Sequence, residues 1–110
     1  MKQLRTVFMG TPDFSVPCLK KLMEVANVIA VVTQPDKPRG RGQKLSPSPV
    51  KAFALEQGLP VYQPARIKTP EFEQVLVDLQ PELMVVVAFG QILSQRILDI
   101  PTYGCVNVHA

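Results

Sequence analysis

Five short, largely apolar runs, separated by stretches of helical periodicity or by turn residues, restrict this chain to few folds. They are Leu4–Met9, Val28–Thr33, Val61–Tyr62, Leu83–Ala88 and the segment from Gly104 to Ala110. The second and fourth show no polar alternation, so both faces of each strand need cover, and a parallel sheet between helices provides it. Regular alternation of strand and helix predicts a Rossmann-like, three-layer α/β/α arrangement with a parallel sheet in strand order 3-2-1-4-5. In that order the first and fourth strands are neighbours at the switch point. Ligands then bind beyond their C-terminal ends, Gly10-Thr11-Pro12-Asp13 and Phe89-Gly90.

The helices between the runs carry their own punctuation. Ser15 can cap a helix with Pro17 in its first turn and Val16, Leu19, Leu22 and Met23 as its apolar side, ending near Asn27. Pro49 opens a short helix over Val50–Gln57, closed by Gly58, with Val50, Phe53 and Ala54 turned inward. Thr69 and Pro70 start another, whose stripe is Phe72, Val75, Leu76 and Leu79 before Pro81 stops it. Ser94 can start a last one, to about Asp99.

A chain of 110 residues, 46% hydrophobic and 19% charged, has the size and composition of one soluble globular domain, which excludes global disorder. Its longest apolar runs fall well short of the roughly 20 residues of a membrane span, so no membrane association is expected. The N-terminal stretch lacks a signal-peptide core and cleavage site, an expectation of a cytoplasmic location. Cys18 and Cys105 lie in apolar contexts on different elements and read as two buried thiols.

From Gln34 to Pro49 the pattern breaks. Pro35, Pro38, Pro47 and Pro49 with Gly40 and Gly42 predict a long connection that is neither helix nor strand. It also concentrates the charge: Lys37, Arg39, Arg41, Lys44 and Lys51 face only Asp36 between positions 36 and 51, while the whole chain has a net charge of +3. Attraction for a polyanion would be local to this loop, and a solvated, mobile basic loop is the plain alternative.

The segment from Gly104 onward reads as a buried parallel strand whose alternation puts Asn107 and His109 on one face. His109 is the only histidine, and an imidazole is suited to proton transfer near neutrality. Asn107 offers an uncharged donor of the kind that steadies a developing oxyanion. The bland alternative is a strand end whose two polar side chains bond to backbone in a nearby loop.

Several other chemistries lack their residues. Gly10 stands without the G-x-G-x-x-G spacing, so a nicotinamide or flavin cofactor is not expected, and Pro35 and the long loop fit Asp36 poorly to a ribose-binding role. One histidine and two separated cysteines make no metal site.

Gly10-Thr11-Pro12-Asp13-Phe14, Gln34-Pro35-Asp36-Lys37-Pro38 with Gly40-Arg41-Gly42, Pro47-Ser48-Pro49-Val50-Lys51, Val85 to Gly90, and Asn107-Val108-His109 together resemble the methionyl-tRNA formyltransferases, in register along the entire chain. The Asn-x-His element alone is shared with other enzymes that use 10-formyltetrahydrofolate; the basic loop followed by Pro-Ser-Pro-Val-Lys points to the tRNA enzymes. The resemblance implies formyl transfer from 10-formyltetrahydrofolate, without a metal, to the amino group of initiator methionyl-tRNA, by a cytoplasmic protein that is monomeric at full length. Asn107 and His109 would be two of three polar catalytic residues. The turn of Phe89, Gly90, Gln91, Ile92 and Leu93 would line the folate pocket, and Lys37, Arg39, Arg41 and Lys44 would meet the tRNA acceptor end.

By the same resemblance, residues 1–110 correspond to the N-terminal part of the formyltransferase domain. The third catalytic residue, an aspartate, and a C-terminal tRNA-binding domain would lie beyond them, and the piece alone is expected to be nearly inactive. Two readings stand beside this one: a formyltransferase or hydrolase acting on a small amine or on the formyl-folate itself, and a non-catalytic nucleic-acid-binding module in which Asn107 and His109 only finish a strand.

Overall fold

The computed structural model describes residues 3–109, with the Arg39 side chain outside the described residues. Strand β1 (Arg5–Gly10) passes through a single 3-10 turn at Asp13–Ser15 into helix α1 (Val16–Val25), and β2 (Asn27–Val32) follows. A hairpin of β3 (Lys37–Arg39) and β4 (Lys44–Ser46) precedes α2 (Pro49–Glu56) and the two-residue β5 (Val61–Tyr62). Then come α3 (Pro70–Leu79), β6 (Leu83–Val87), the short α4 (Gln95–Leu98) and β7 (Cys105–Asn107).

The main sheet has the order β5-β2-β1-β6-β7, every pair parallel. Counted along the sheet's own strands this is the expected 3-2-1-4-5. Pleating sends Val7 and Met9 to one face and Phe8 to the other, and both faces are dry. Val7, Met9, Val32, Met84 and Val86 pack with Phe72 and Leu76 of α3 and Ile97 of α4, while Phe8, Val31, Val85 and Val87 pack with Leu19 of α1 and Val50 and Ala54 of α2. Full burial of a side chain of this kind is worth about 1.5–3 kcal/mol, so the two layers hold the sheet rigid beneath its C-terminal edge.

Two of the three predicted caps are made, and Ser48, which no sequence signal singled out, supplies another. Ser48 Oγ accepts from Lys51 N at 3.0 Å, Thr69 Oγ1 from Phe72 N at 3.2 Å and Ser94 Oγ from Ile97 N at 3.2 Å. Each is worth about 1 kcal/mol. Ser15 is the exception: the 3-10 turn already puts it in helical backbone (φ −80°, ψ −22°), and its hydroxyl donates across the sheet edge to Val87 O at 2.7 Å. The same helix ends at Val25, and Asn27 opens β2.

Further expectations are corrected. The stretch from 34 to 49 contains an antiparallel hairpin, pairing Lys37 with Ser46, Pro38 with Leu45 and Arg39 with Lys44. Proline is tolerated there because each strand has a neighbour on one side only, and the turn closes through left-handed Gly40, Gly42 and Gln43. The last strand is not buried. Among the described residues β7 pairs only with β6, leaving Val106 and Asn107 exposed and Cys105 half-buried. Both cysteines are free thiols, but each is half-buried where full burial was expected, and partial burial pushes that of Cys105 up. No helix among the described residues is long and apolar enough to cross a membrane.

Candidate active site

All five parallel strands point their C-terminal ends at one edge, and the loops there are fastened to one another by side-chain hydrogen bonds. Thr11 Oγ1 donates to Phe89 O at 2.6 Å, joining the turns after β1 and β6. Thr33 and Ser48 share a buried hydroxyl–hydroxyl bond of 2.6 Å that holds the end of β2 to the start of α2. Gly10, the last residue of β1, lies beside Val87 in the ladder. Pro12 follows in the turn, and Asp13 is exposed in the 3-10 turn.

Asn107 sits opposite Val86, and the ladder runs one bond further, Val108 N donating to Val86 O at 2.8 Å. This carries His109 round the end of β7. Both residues line one cavity of about 280 Å³ with Phe14, Val86, Ala88, Phe89, Gln91 and Val108. Among the described residues neither the Asn107 amide nor the His109 imidazole has a hydrogen-bond partner, so neither is spent on capping a loop. Phe14, 56% exposed, is the wall that reasoning from residue types did not single out; its signal was a large apolar side chain in a turn directly after a strand.

Asn107 also borders a second cavity of about 470 Å³, which continues past Val86, Gln91, Ile92, Leu93, Leu98 and Cys105. A third, of about 460 Å³, runs from Gly90, Gln91 and Ile92 to Arg66, Ile67 and Lys68. The 89–93 turn is therefore the partition between three adjoining hollows. Ile92 is 78% exposed on its crest while the Phe89 ring is anchored in the core. Backbone in unusual conformations shapes it: Ala88 is left-handed (φ 53°) and Gly90 has φ 102°. A β-carbon at Gly90 would meet Gln34 Nε2 at 2.7 Å.

Gln91 is a buttress within this turn. Its Nε2 donates to Gln34 Oε1 at 2.8 Å and to Pro64 O at 3.1 Å, and its Oε1 accepts from Ile67 N at 2.8 Å. Gln34 Nε2 in turn donates to Gly90 O at 3.1 Å. The Gln91 side-chain amide is thus fully engaged in holding the loops after β2, β5 and β6 together. Gln91 still lines all three hollows.

The hairpin projects from this edge with Lys37, Arg41 and Lys44 exposed and, among the described residues, in no ion pair. The Arg39 side chain lies outside the described residues. Lys51, counted with them in the sequence, is instead paired with Asp36 at 3.0 Å. Gln63 and Lys51 beside Asp36 hold its carboxyl below the usual carboxylate value. Among the described residues no group of three or more His, Cys, Asp and Glu could hold a metal ion.

A parallel α/β sheet with its polar strand ends and hollows gathered at the switch point defines a Rossmann-like domain. The chain belongs to the formyl transferase family, whose profile matches residues 4–110. It is 60% identical over 111 residues to methionyl-tRNA formyltransferase of Geobacter sulfurreducens, covering 100% of this chain and 35% of that protein. It is 57% identical over 107 residues to the methionyl-tRNA formyltransferase of Ruminiclostridium cellulolyticum, covering 96% of this chain and 34% of the relative. With the enzyme of that name from Clostridium perfringens it shares 57% over 108 residues, 97% of this chain and 35% of the relative. The chain spans about a third of the length of these curated relatives.

Proposed function

We propose that this chain supplies the first part of the catalytic domain of an enzyme that moves a formyl group from 10-formyltetrahydrofolate to the amino group of initiator methionyl-tRNA. The observation that carries the reading is the meeting in one cavity, beside Phe89 at the switch-point edge, of two polar side chains, Asn107 and His109, that have no partner among the described residues. Family membership supplies the reaction class.

The folate, when bound, supplies the electrophilic formyl carbon. Attack by an amine puts negative charge on the formyl oxygen and leaves a surplus proton on nitrogen. The Asn107 amide is an N–H donor for that oxygen and adds no net charge of its own; it gains most in the transition state, where the oxygen is most negative. His109 accepts the proton from the amine and passes it toward the departing folate nitrogen. Ile92 and Leu93 offer apolar surface to a flat ring system, with Gly90 and Gln91 contributing to the same walls. Lys37, Arg39, Arg41 and Lys44 meet phosphates of the acceptor arm. By itself the chain holds only part of this machinery.

The test is a formylation assay on the complete polypeptide that carries this chain. Substitution His109→Ala is expected to lower kcat by about 10²–10⁴-fold and Asn107→Ala by roughly 10²–10³-fold, each with little change in KM for tRNA. A complete protein that binds methionyl-tRNA yet transfers no formyl group would support the non-catalytic alternative. Turnover on a free amine that is indifferent to salt would support a small-amine substrate.

A further inference from the structure

The hairpin β3–β4 is a sheet of two strands that is not part of the main ladder. A lone two-stranded hairpin is marginal in water, so its direction has to be set where it leaves the body of the domain. On its return side Ser48 does this, through the buried bond to Thr33. On its outgoing side the residue directly before β3 is Asp36. The Asp36 carboxylate accepts from Gln63 Nε2 at 2.7 Å and from Lys51 Nζ at 3.0 and 3.2 Å, and Gln63 Nε2 also reaches Gln34 O at 3.3 Å. Lys51 belongs to α2 and Gln63 follows β5, so one carboxylate is gripped from two elements. Both charged partners are mostly shielded, with 20% and 31% of their side-chain surface exposed.

We infer that Asp36, clamped between Lys51 and Gln63, is a positioning residue for the tRNA substrate: it aims the basic hairpin and so selects a bulky phosphate-bearing acceptor without touching it. The inference rests on the hairpin's proposed contact with tRNA. It assigns to an acidic residue, in the most basic stretch of the chain, a role in binding a polyanion.

That sign makes the clamp separable from simple charge. Replacing Asp36 by Asn removes a negative charge beside the hairpin, and if only long-range attraction mattered, tRNA would bind more tightly. A broken clamp instead frees the hairpin and weakens binding. In the complete polypeptide, Asp36→Asn and Lys51→Met are each expected to raise KM for methionyl-tRNA by about threefold to fivefold, with kcat at saturating tRNA and KM for 10-formyltetrahydrofolate unchanged. Lys51→Arg, which can still donate to the carboxylate, is expected to restore the wild-type value. Tryptic cleavage after Arg41 and Lys44 in the folded protein is expected to be faster in Asp36→Asn and Lys51→Met than in wild type or Lys51→Arg. An unchanged or lower tRNA KM in Asp36→Asn, or cleavage at the wild-type rate, overturns the clamp. Absence of formyl transfer to methionyl-tRNA by the wild-type protein overturns the proposed function instead, and the cleavage rates then still decide whether Asp36 holds the hairpin.

Discussion

The Thr11 hydroxyl donates to the Phe89 carbonyl oxygen at 2.6 Å, across the seam between the two strands that flank the switch point. The bond links the end of the strand that opens the fold to the turn that partitions its hollows. Thr11→Val keeps the shape, removes the donor and leaves that carbonyl short of a partner, so stability is expected to fall by about 1 kcal/mol. Thr11→Ser is expected to keep most of it. Urea melts of the two variants read the difference; equal melts would show that the bond contributes nothing.

Gly90→Ala is expected to be more damaging. With φ at 102° the position disfavours any side chain, and a β-carbon would also press on the Gln34 amide at 2.7 Å. A cost of roughly 1–3 kcal/mol is expected from backbone strain alone. Adding Gln34→Ala to Gly90→Ala relieves the collision and leaves the backbone strain. Because Gln34→Ala also gives up its bonds to Gly90 O and Gln91, the expected result is a double variant that loses less than the sum of the two single variants, and a purely additive loss would place the whole cost elsewhere.

Acid should act through Asp36. Its folded-state pKa is depressed by Gln63 and Lys51, so the stability it contributes is fully present above the ordinary aspartate value of about 3.9 and is lost as pH falls through the lower folded value. Wild type is therefore expected to melt above Asp36→Asn at pH 7, with the gap closing on acidification. Paired thermal melts down the pH scale check this; a gap that stays constant into acid would contradict it.

The hairpin cations should show themselves through salt. Arg41→Gln and Lys44→Gln are expected to weaken tRNA binding and to make the slope of log affinity against log salt shallower by roughly 0.7–0.9 for each phosphate that is no longer neutralised. Folate affinity is expected to stay put. A titration at several salt concentrations provides the measurement, and an unchanged slope would remove these residues from the tRNA surface.

The elements that could be read in advance are those whose signals are local. Val28–Thr33 and Leu83–Ala88 declare themselves by lacking polar alternation, and Thr69 and Ser94 each stand three residues before the amide they cap. Pairing is not local. Pro38 and the two hairpin glycines signal a break, and only the opposition of Lys37 to Ser46 turns that break into β3 and β4. The Ser15 hydroxyl was available to its own helix but meets Val87 O, on a strand distant in sequence. Gln91 illustrates the same limit at the site: nothing local in the sequence signals that three partners from separate loops use its side-chain amide. Topology alone brings Asn107 and His109 to the edge where the turns after β1 and β6 lie; the strand ends at Asn107, so alternation within it does not place His109.

The placement of β1 at the middle of the sheet governs how this chain is made. Thr6 finds one partner at Val28 and the other only at Leu83. A ribosome therefore releases the apolar β1 long before its second neighbour exists, and during that interval the nascent chain displays a sticky, half-covered ribbon. Its yield in the cell should depend on what shelters that ribbon during synthesis, and slowing elongation between β2 and β6 should lengthen the exposure.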